Sequence, residues 1–292
     1  MNNKNNNFRL VIICSVLLAF MYNTAYSQGT DSRVSSGNKE NLFFGLNINP
    51  LVTSIANNDF SSALNSKKGN SINFEIDFGY FFSRIIGFSL GAGYGSYSTE
   101  LSLASYKKSF DAIDSEDEAY VMQIDGKSIV ENQKISFLSI PVCINFRIPA
   151  GDKLGFLLKA GVGFDIPLAK TYEGVGTFTY WGYYDAYPVT IKDYDLYFPT
   201  DWPTNSSGTL LIKSMNLSMI ASGSAYYKIN ENIQLLLGLC FHKSMSNISS
   251  YEPAEDFKLT SKKDELNSFM KGSSSAGIQA VGMSVGFKYY LK

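Results

Sequence analysis

Apolar and polar residues alternate in eight separate segments of this 292-residue chain, and this period of two constrains the fold more than any other feature. Successive side chains of a β-strand point to opposite faces, so strict alternation predicts a strand with one apolar and one polar face. In the second segment, Ile72, Phe74 and Ile76 alternate with Asn73 and Glu75. The eight segments are 42–48, 72–80, 86–94, 138–148, 156–164, 215–227, 233–243 and 281–291.

The connections between these segments are long and short in strict alternation, beginning with a long one. Outer-membrane β-barrels show this rhythm because short periplasmic turns and longer extracellular loops join their strands. A soluble β-sandwich shares the alternating strands but has no reason to lengthen every second connection. We therefore expect an all-β fold, an eight-stranded antiparallel transmembrane up-and-down β-barrel with long extracellular loops, over residues 42–292. The short connections are 82–85, 149–153 and 229–232, and the long ones are 49–70, 98–133, 169–208 and 247–275.

Aromatic residues flank each of the short connections. Aromatic rings concentrate where a barrel wall crosses the membrane interface. We therefore expect these rings to form a girdle at the periplasmic rim of the barrel. They are Tyr80, Phe81, Phe82, Phe88, Phe146, Phe156, Tyr226, Tyr227, Tyr289 and Tyr290.

Pro141 lies in the middle of the fourth segment. Proline cannot donate a hydrogen bond to the ladder and is normally confined to edge strands or bulges. Because a closed barrel has no edge strand, we expect a β-bulge at Pro141.

The first 27 residues have the layout of a secretory signal peptide. Lys4 and Arg9 provide a positive start, residues 10–22 are largely apolar, and the small residues Ala25 and Ser27 precede a cleavage position. The apolar run is shorter than the roughly 20 residues that a membrane-spanning helix needs. We therefore expect a cleaved signal peptide over residues 1–27, a periplasmic segment over residues 28–41, and export to the outer membrane.

Composition argues against several function classes. The net charge of −1 disfavours a nucleic-acid partner. One histidine, with Cys143 and Cys240 on segments that are not neighbours, offers no cluster of metal ligands, and we expect neither a metal nor a cofactor. The expected partners are outer-membrane lipid and, beyond it, a surface ligand or an envelope protein.

Charged side chains occupy several of the positions that alternate with the apolar ones, and a barrel places them in its lumen. Eight strands leave an interior just wide enough for side chains, and an unpaired buried charge is costly. We therefore expect opposite charges to pair across the lumen and plug it. The alternative is a narrow channel for small solutes. The expected lumen network is Glu75, Asp77, Arg147, Lys159, Asp165 and Lys288.

The stretch Phe137–Arg147, with the sequence FLSIPVCINFR, resembles the Tyr-Leu-Glu-Ile-Pro strand of PorT-like outer-membrane β-barrel proteins. As in that family, a short turn and a glycine-rich strand follow, here Lys159–Phe164. Ser139 stands where the family usually has glutamate. The resemblance implies an outer-membrane β-barrel, in a functionally mixed family some of whose members are linked to protein secretion across the outer membrane.

His242 and Ser244 are two residues apart on the seventh segment and therefore point to the same face. The spacing resembles the His-x-Ser arrangement of outer-membrane lipid A deacylases, in which serine is the nucleophile, histidine its base and a later acid the orienting group. Asp256 is the candidate acid. The alternation turns His242 toward the lumen, whereas the deacylase site faces lipid. We therefore expect no catalysis, with a lipid-modifying hydrolase as the alternative.

The third long connection is dense in aromatic residues. Such rings are enriched in recognition surfaces, which predicts an extracellular loop that binds a surface ligand. The alternative is a loop that folds on a small apolar core of its own over the barrel mouth. The residues assigned to this loop are Tyr180, Trp181, Tyr183, Tyr184 and Trp202.

Overall fold

The computed structural model describes residues 42–58, 63–193, 197–252 and 256–291, which form ten β-strands and one short 3-10 helix, Phe269–Gly272. The predicted signal peptide and the segment 28–41 lie outside the described residues. Among the described residues, no helix is long and apolar enough to cross a membrane. The strands are β1 Leu42–Asn58, β2 Asn65–Phe81, β3 Ile86–Ile113, β4 Ala119–Pro149, β5 Leu154–Tyr184, β6 Val189–Ile191, β7 Trp202–Thr209, β8 Asn216–Lys228, β9 Ile233–Ser244 and β10 Ser275–Leu291.

Eight of the strands form a closed antiparallel ring in the order β1, β2, β3, β4, β5, β8, β9 and β10. The ring closes where β1 pairs with β10, from Leu42 opposite Leu291 upward. The short strands β6 and β7 lie outside the ring and pair with the far part of β5. The predicted eight-stranded, up-and-down antiparallel arrangement is confirmed, as are the three short turns.

The half of the ring next to the short turns has its apolar side chains on the outside. Phe78 is 51% exposed and Leu237 is 57% exposed, although both lie within paired strands. This apolar band runs from Ile72 on β2 to Phe82 just after the strand, which matches the roughly 9–11 residues that a strand needs to cross a bilayer. In this half of the ring, the apolar residues of the predicted alternation therefore face outward.

Most of the predicted long loops are strand. The connection 98–133 is a hairpin in which β3 runs to Ile113, β4 starts at Ala119 and only residues 114–118 form the turn. The prediction of a loop was wrong because apolar and polar residues continue to alternate there, but with many lysines, serines and acids on the exposed side. We call the part of the sheet beyond the ring the wall; it consists of 101–113, 119–133 and 172–184, with β6 and β7.

The connection between β9 and β10 is the irregular one. It contains the 3-10 helix and packs against the inner face of the wall, where Leu259 and Phe269 are fully buried. We call its described residues, 245–252 and 256–274, the lid. Ile248 and Met270 of the lid also join the apolar core at the mouth of the ring.

Pro141 does not cause the expected bulge. The pairs Leu90–Val142 and Gly93–Ser139 keep one register on both sides of it, and the ladder to β3 only lacks its bridges in between. The proline ring occupies the space above Gly91, where a Cβ would lie 2.9 Å from the ring. The register shifts that involve β4 occur instead in its pairing with β5, at Lys127/Val130 and at Ser136/Phe137.

The expected aromatic girdle is only partly formed. Phe82, Phe156 and Tyr227 are exposed on the outside, as predicted. Three other rings turn inward, because alternation places neighbouring residues of one strand on opposite faces. Those three close the lumen at the short-turn end together with three more apolar side chains, and we call this cluster the floor. It consists of Phe43, Phe81, Leu157, Tyr226, Leu236 and Tyr290.

Candidate functional site

The lumen contains two ion pairs between buried side chains of different strands. Lys288 Nζ lies 3.2 Å from Asp77 Oδ2, and Lys159 pairs with Glu75 on the far side of the lumen. Gly45 of β1 lies directly between Asp77 and Lys288 in the register, and a Cβ there would collide with the carboxylate. The glycine therefore lets the two charged side chains meet across the intervening strand.

Arg147 forms the boundary between these charges and the floor. Its guanidinium lies over the ring of Phe81, 4.4 Å from the centroid, and 5.5 Å from that of Tyr290. Its Nε donates a hydrogen bond to the carbonyl oxygen of Arg84. The guanidinium of Arg147 is thus held by two aromatic faces and a backbone acceptor.

Asp165 joins two neighbours nearer the mouth. The hydroxyl of Ser139 donates to Asp165 Oδ1 at 2.6 Å, and His242 Nε2 lies 3.1 Å from Asp165 Oδ2. The His242 ring stacks on Tyr97, with the planes 8° apart. In a catalytic triad the serine hydroxyl contacts the histidine, which acts as its base. Here Ser139 donates to the acid instead, so this arrangement fixes the histidine but does not activate a nucleophile.

The structure does not bring His242, Ser244 and Asp256 together. The Ser244 hydroxyl accepts a hydrogen bond from the backbone N–H of Ile278. The side chain of Asp256 is 88% exposed and lies near Lys108. The carboxylate beside His242 is Asp165, which the sequence analysis assigned to the lumen network and not to a hydrolase site. Among the described residues, no group of three or more His, Cys, Asp or Glu side chains could hold a metal ion.

A cavity of about 50 Å³ remains among these lumen side chains. Asn49 Oδ1 and His242 Nδ1 belong to residues that line it, and both atoms are buried without a hydrogen-bond partner among the described residues. A volume of this size holds a few water molecules, which would satisfy such atoms. The cavity is bounded by the floor on one side and by the apolar core under the lid on the other.

Glu131 attaches the lid to the wall. Its carboxylate accepts hydrogen bonds from the Ser268 hydroxyl at 2.7 Å and from the Phe269 N–H at 2.8 Å, which lie at the start of the 3-10 helix. Gln133 donates a third bond from the neighbouring inward position of β4. Glu131 is only 2% exposed, and this burial raises its pKa although all three donors favour the ionised form. The sequence analysis missed this residue.

The residues predicted to form an aromatic loop lie on strands. Tyr180 and Tyr184 face the lid and are buried, and the Tyr180 hydroxyl lies 3.0 Å from that of Thr260. Trp181 and Tyr183 alternate with them and lie on the opposite, outer face of the wall. Trp202 is the first residue of β7. The alternative of a small apolar core over the mouth therefore describes half of this segment, and an outward-facing surface describes the other half.

Comparisons with known proteins add little beyond these observations. No family model and no curated protein matches the sequence. Among solved structures, the chain is similar to Neisserial surface protein A (9% identity, TM-score 0.32), covering 85% of this chain and 97% of that one. It is also similar to OprG from Pseudomonas aeruginosa (12%, 0.36; 87% and 98% covered) and to Ail of Yersinia pestis (9%, 0.30; 85% and 99%). At TM-scores below 0.5, these likenesses carry no weight for the function of this chain.

Proposed function

We propose that this chain is an outer-membrane β-barrel with a closed lumen, and that it presents the wall and the lid at the cell surface in a non-catalytic binding or structural role. We call the half of the ring next to the short turns the lower ring. The single observation that carries the proposal is that the lower ring has its apolar side chains outside and its charged side chains inside. Apolar side chains such as Phe78, Leu237 and Val285 are exposed around it, while Asp77 and Lys288 are buried inside it. Exposed apolar surface of this extent is unfavourable in water and suits a hydrocarbon environment.

The orientation follows from the lengths of the connections. Short turns face the periplasm in barrels of this type, and the longer extensions face outward. Residues 114–118 at the tip of the wall then lie farthest from the membrane on the extracellular side. The outer-membrane lipid is thus one partner, and the wall and the lid are the surfaces offered to a ligand.

A closed lumen is favoured over a channel by the contacts within it. The ion pairs Lys288–Asp77 and Lys159–Glu75 neutralise the charges that would line a pathway. The floor covers one end of the lumen, and the apolar core under the lid covers the other. The hydrolase alternative lacks geometric support, because His242 is paired with Asp165 and Ser244 with the backbone. An accessory role in secretion, which the PorT-like stretch 137–147 implies, stays a hypothesis.

The proposal is tested first by location and then by conductance. Protein expressed in a Gram-negative host is expected in the outer-membrane fraction, with heat-modifiable migration on gels and with cleavage by added protease in the wall or the lid of intact cells. Recovery as a soluble periplasmic species would overturn the proposal. In planar bilayers the purified protein is expected to show no steady conductance, and a stable open state would overturn the closed lumen. Unchanged lipid A acylation on overexpression is expected, and a loss of acyl chains that Ser244→Ala abolishes would restore the hydrolase.

A further inference from the structure

The outer face of the wall carries rows of side chains that lie side by side on three neighbouring strands. One row consists of Ser109, Gln123 and Trp181, which the register places opposite one another on β3, β4 and β5. The row next to it consists of Lys107, Asp125 and Thr179. Residues directly opposite in an antiparallel pair point to the same face. The lid lies on the other face, so this face is turned away from the lid.

Trp181 is held in place on this face by its ring nitrogen. Its Nε1–H donates a hydrogen bond to Gln123 Oε1 at 2.8 Å. The ammonium group of the exposed Lys192 lies over the ring, 4.9 Å from its centroid. The indole N–H therefore already has a hydrogen-bond acceptor, whereas one face of the ring contacts a polarised group on the solvent side. Lys192 follows β6 on a flexible stem and can move away from that face.

Two lysines on this face are paired with carboxylates. Lys107 lies 3.7 Å from Asp125, and Lys127 lies 3.4 Å from Asp201. Each pair is neutral as a whole, so neither pair selects a strongly anionic or cationic partner. They leave carboxylate, amide and hydroxyl groups beside an aromatic ring. Such a surface complements an uncharged partner that is rich in hydroxyl groups and has a flat apolar face.

We propose that the outer face of the wall binds a neutral glycan of β-linked, gluco-configured units, which stacks on Trp181 and hydrogen-bonds with Gln123, Asp125 and Thr179. Pyranose rings whose hydroxyls are all equatorial present a flat face of polarised C–H bonds, which the negative face of an indole attracts. The hydroxyls then point sideways, toward the polar groups of the two rows. Binding displaces Lys192 from the ring. This inference rests on the proposed surface location and names the chemistry of the ligand.

The two tryptophans of the chain provide the test, because each can be observed alone. Trp202→Phe leaves Trp181 as the only emitter, and Trp181→Phe leaves Trp202, which is bonded to Asp264 of the lid. A β-1,4-linked glucose tetrasaccharide, titrated into purified full-length protein in detergent, is expected to shift the emission of the first variant and not that of the second. Both variants must show heat-modifiable migration, which establishes that the ring is folded.

Affinity provides the second measurement. By calorimetry, Trp202→Phe is expected to bind the tetrasaccharide as the parent does, whereas Trp181→Ala is expected to bind about tenfold more weakly or worse. An unchanged emission of Trp181 at the highest soluble sugar concentration would overturn the inference. So would a preference for dextran sulfate that Trp181→Ala leaves intact, since that result would indicate an anionic partner elsewhere. If the sugar does not bind but protease cleaves the wall on intact cells, the glycan site alone is refuted. If the protein is recovered as a soluble periplasmic species, the proposed function is refuted.

Discussion

Apolar and polar side chains alternate in both the lower ring and the wall, but the apolar ones face outward in the lower ring and inward in the wall. In the lower part of β4, Asn145 and Arg147 point inward and are buried, while Ile144 and Phe146 point outward and are exposed. In its upper part, Ile124 and Ile129 point inward, toward the lid, and are buried. One strand therefore has a polar interior at one end and an apolar interior at the other. β4 stays paired with β3 and β5 in both parts, so the difference reflects what surrounds each half.

The position of this inversion is marked in the backbone. Above Ser139, the inward residues Ile135 and Phe137 are apolar and buried. The register between β4 and β5 shifts at the same height, between Ser136 and Phe137, opposite the exposed Leu168. Above this level the molecule has an ordinary apolar core, and below it, at the proposed location, lipid would take the role of the apolar medium. Three substitutions would break or sharpen this comparison.

The largest effect is expected inside the lumen. Replacing Lys288 by Met leaves Asp77 buried without its partner, which costs about 3–5 kcal/mol of unfolding free energy. The double replacement Asp77→Leu with Lys288→Met is expected to recover most of that loss, because two apolar groups need no partner. Urea-induced unfolding in lipid vesicles measures both variants. A single variant as stable as the parent would mean that the lumen admits water freely to Asp77.

A charge on the lipid-facing side is expected to have the next largest effect. Arginine at Leu237 would cost about 2–4 kcal/mol in the middle of a bilayer, although this side chain is among the more exposed ones. The matched control is Ser109→Arg on the outer face of the wall, where a surface substitution changes stability by about 0.5 kcal/mol or less. Equal effects at the two positions, measured by the same unfolding assay, would show that no lipid surrounds the lower ring.

The smallest effect concerns Glu131, which attaches the lid to the wall. It lies on β4, seven residues before the outward-facing Leu138. Because burial raises the pKa of this carboxyl above its ordinary 4.5, its contribution to lid closure is complete below that pH and declines as the pH rises through the raised value. We expect closure to weaken as the pH rises from about 4 to about 8. Hydrogen exchange of residues 266–273, corrected for intrinsic rates, reports it. Glu131→Gln should remove the pH dependence, and a dependence that persists would assign it to another group.

The sequence predicted the ring because its information is local. Alternation at 72–80 or 233–243 is visible within ten residues, and the contrast between short and long connections orders the strands without any knowledge of contacts. The inward direction of Asp77 and Lys288 follows from the same parity. What parity cannot give is which inward groups meet, since Lys288 and Asp77 are far apart in the chain and meet only because Gly45 separates them in the register.

The wall and the lid could not be predicted for a related reason. In 98–133 the residues that alternate with apolar ones are those of a solvated surface, so the strand signal is indistinguishable from that of a polar loop. The bond between Glu131 and Ser268 joins residues that no short-range pattern connects. Pro141 causes no bulge because a strand can omit bridges on one side and keep its register, which a rule about single residues does not anticipate.

The closure of the ring through β1 and β10 has a consequence for assembly. Until Ser275–Leu291 is available, β1 and β9 each present an unpaired edge, and no partial set of strands can bury both. Contacts between the two ends of a chain form slowly, because a long segment must first be ordered. Exposed edges meanwhile invite pairing with other chains. We therefore expect a deletion of the last strand to cause aggregation through these open edges and not merely a weaker ring.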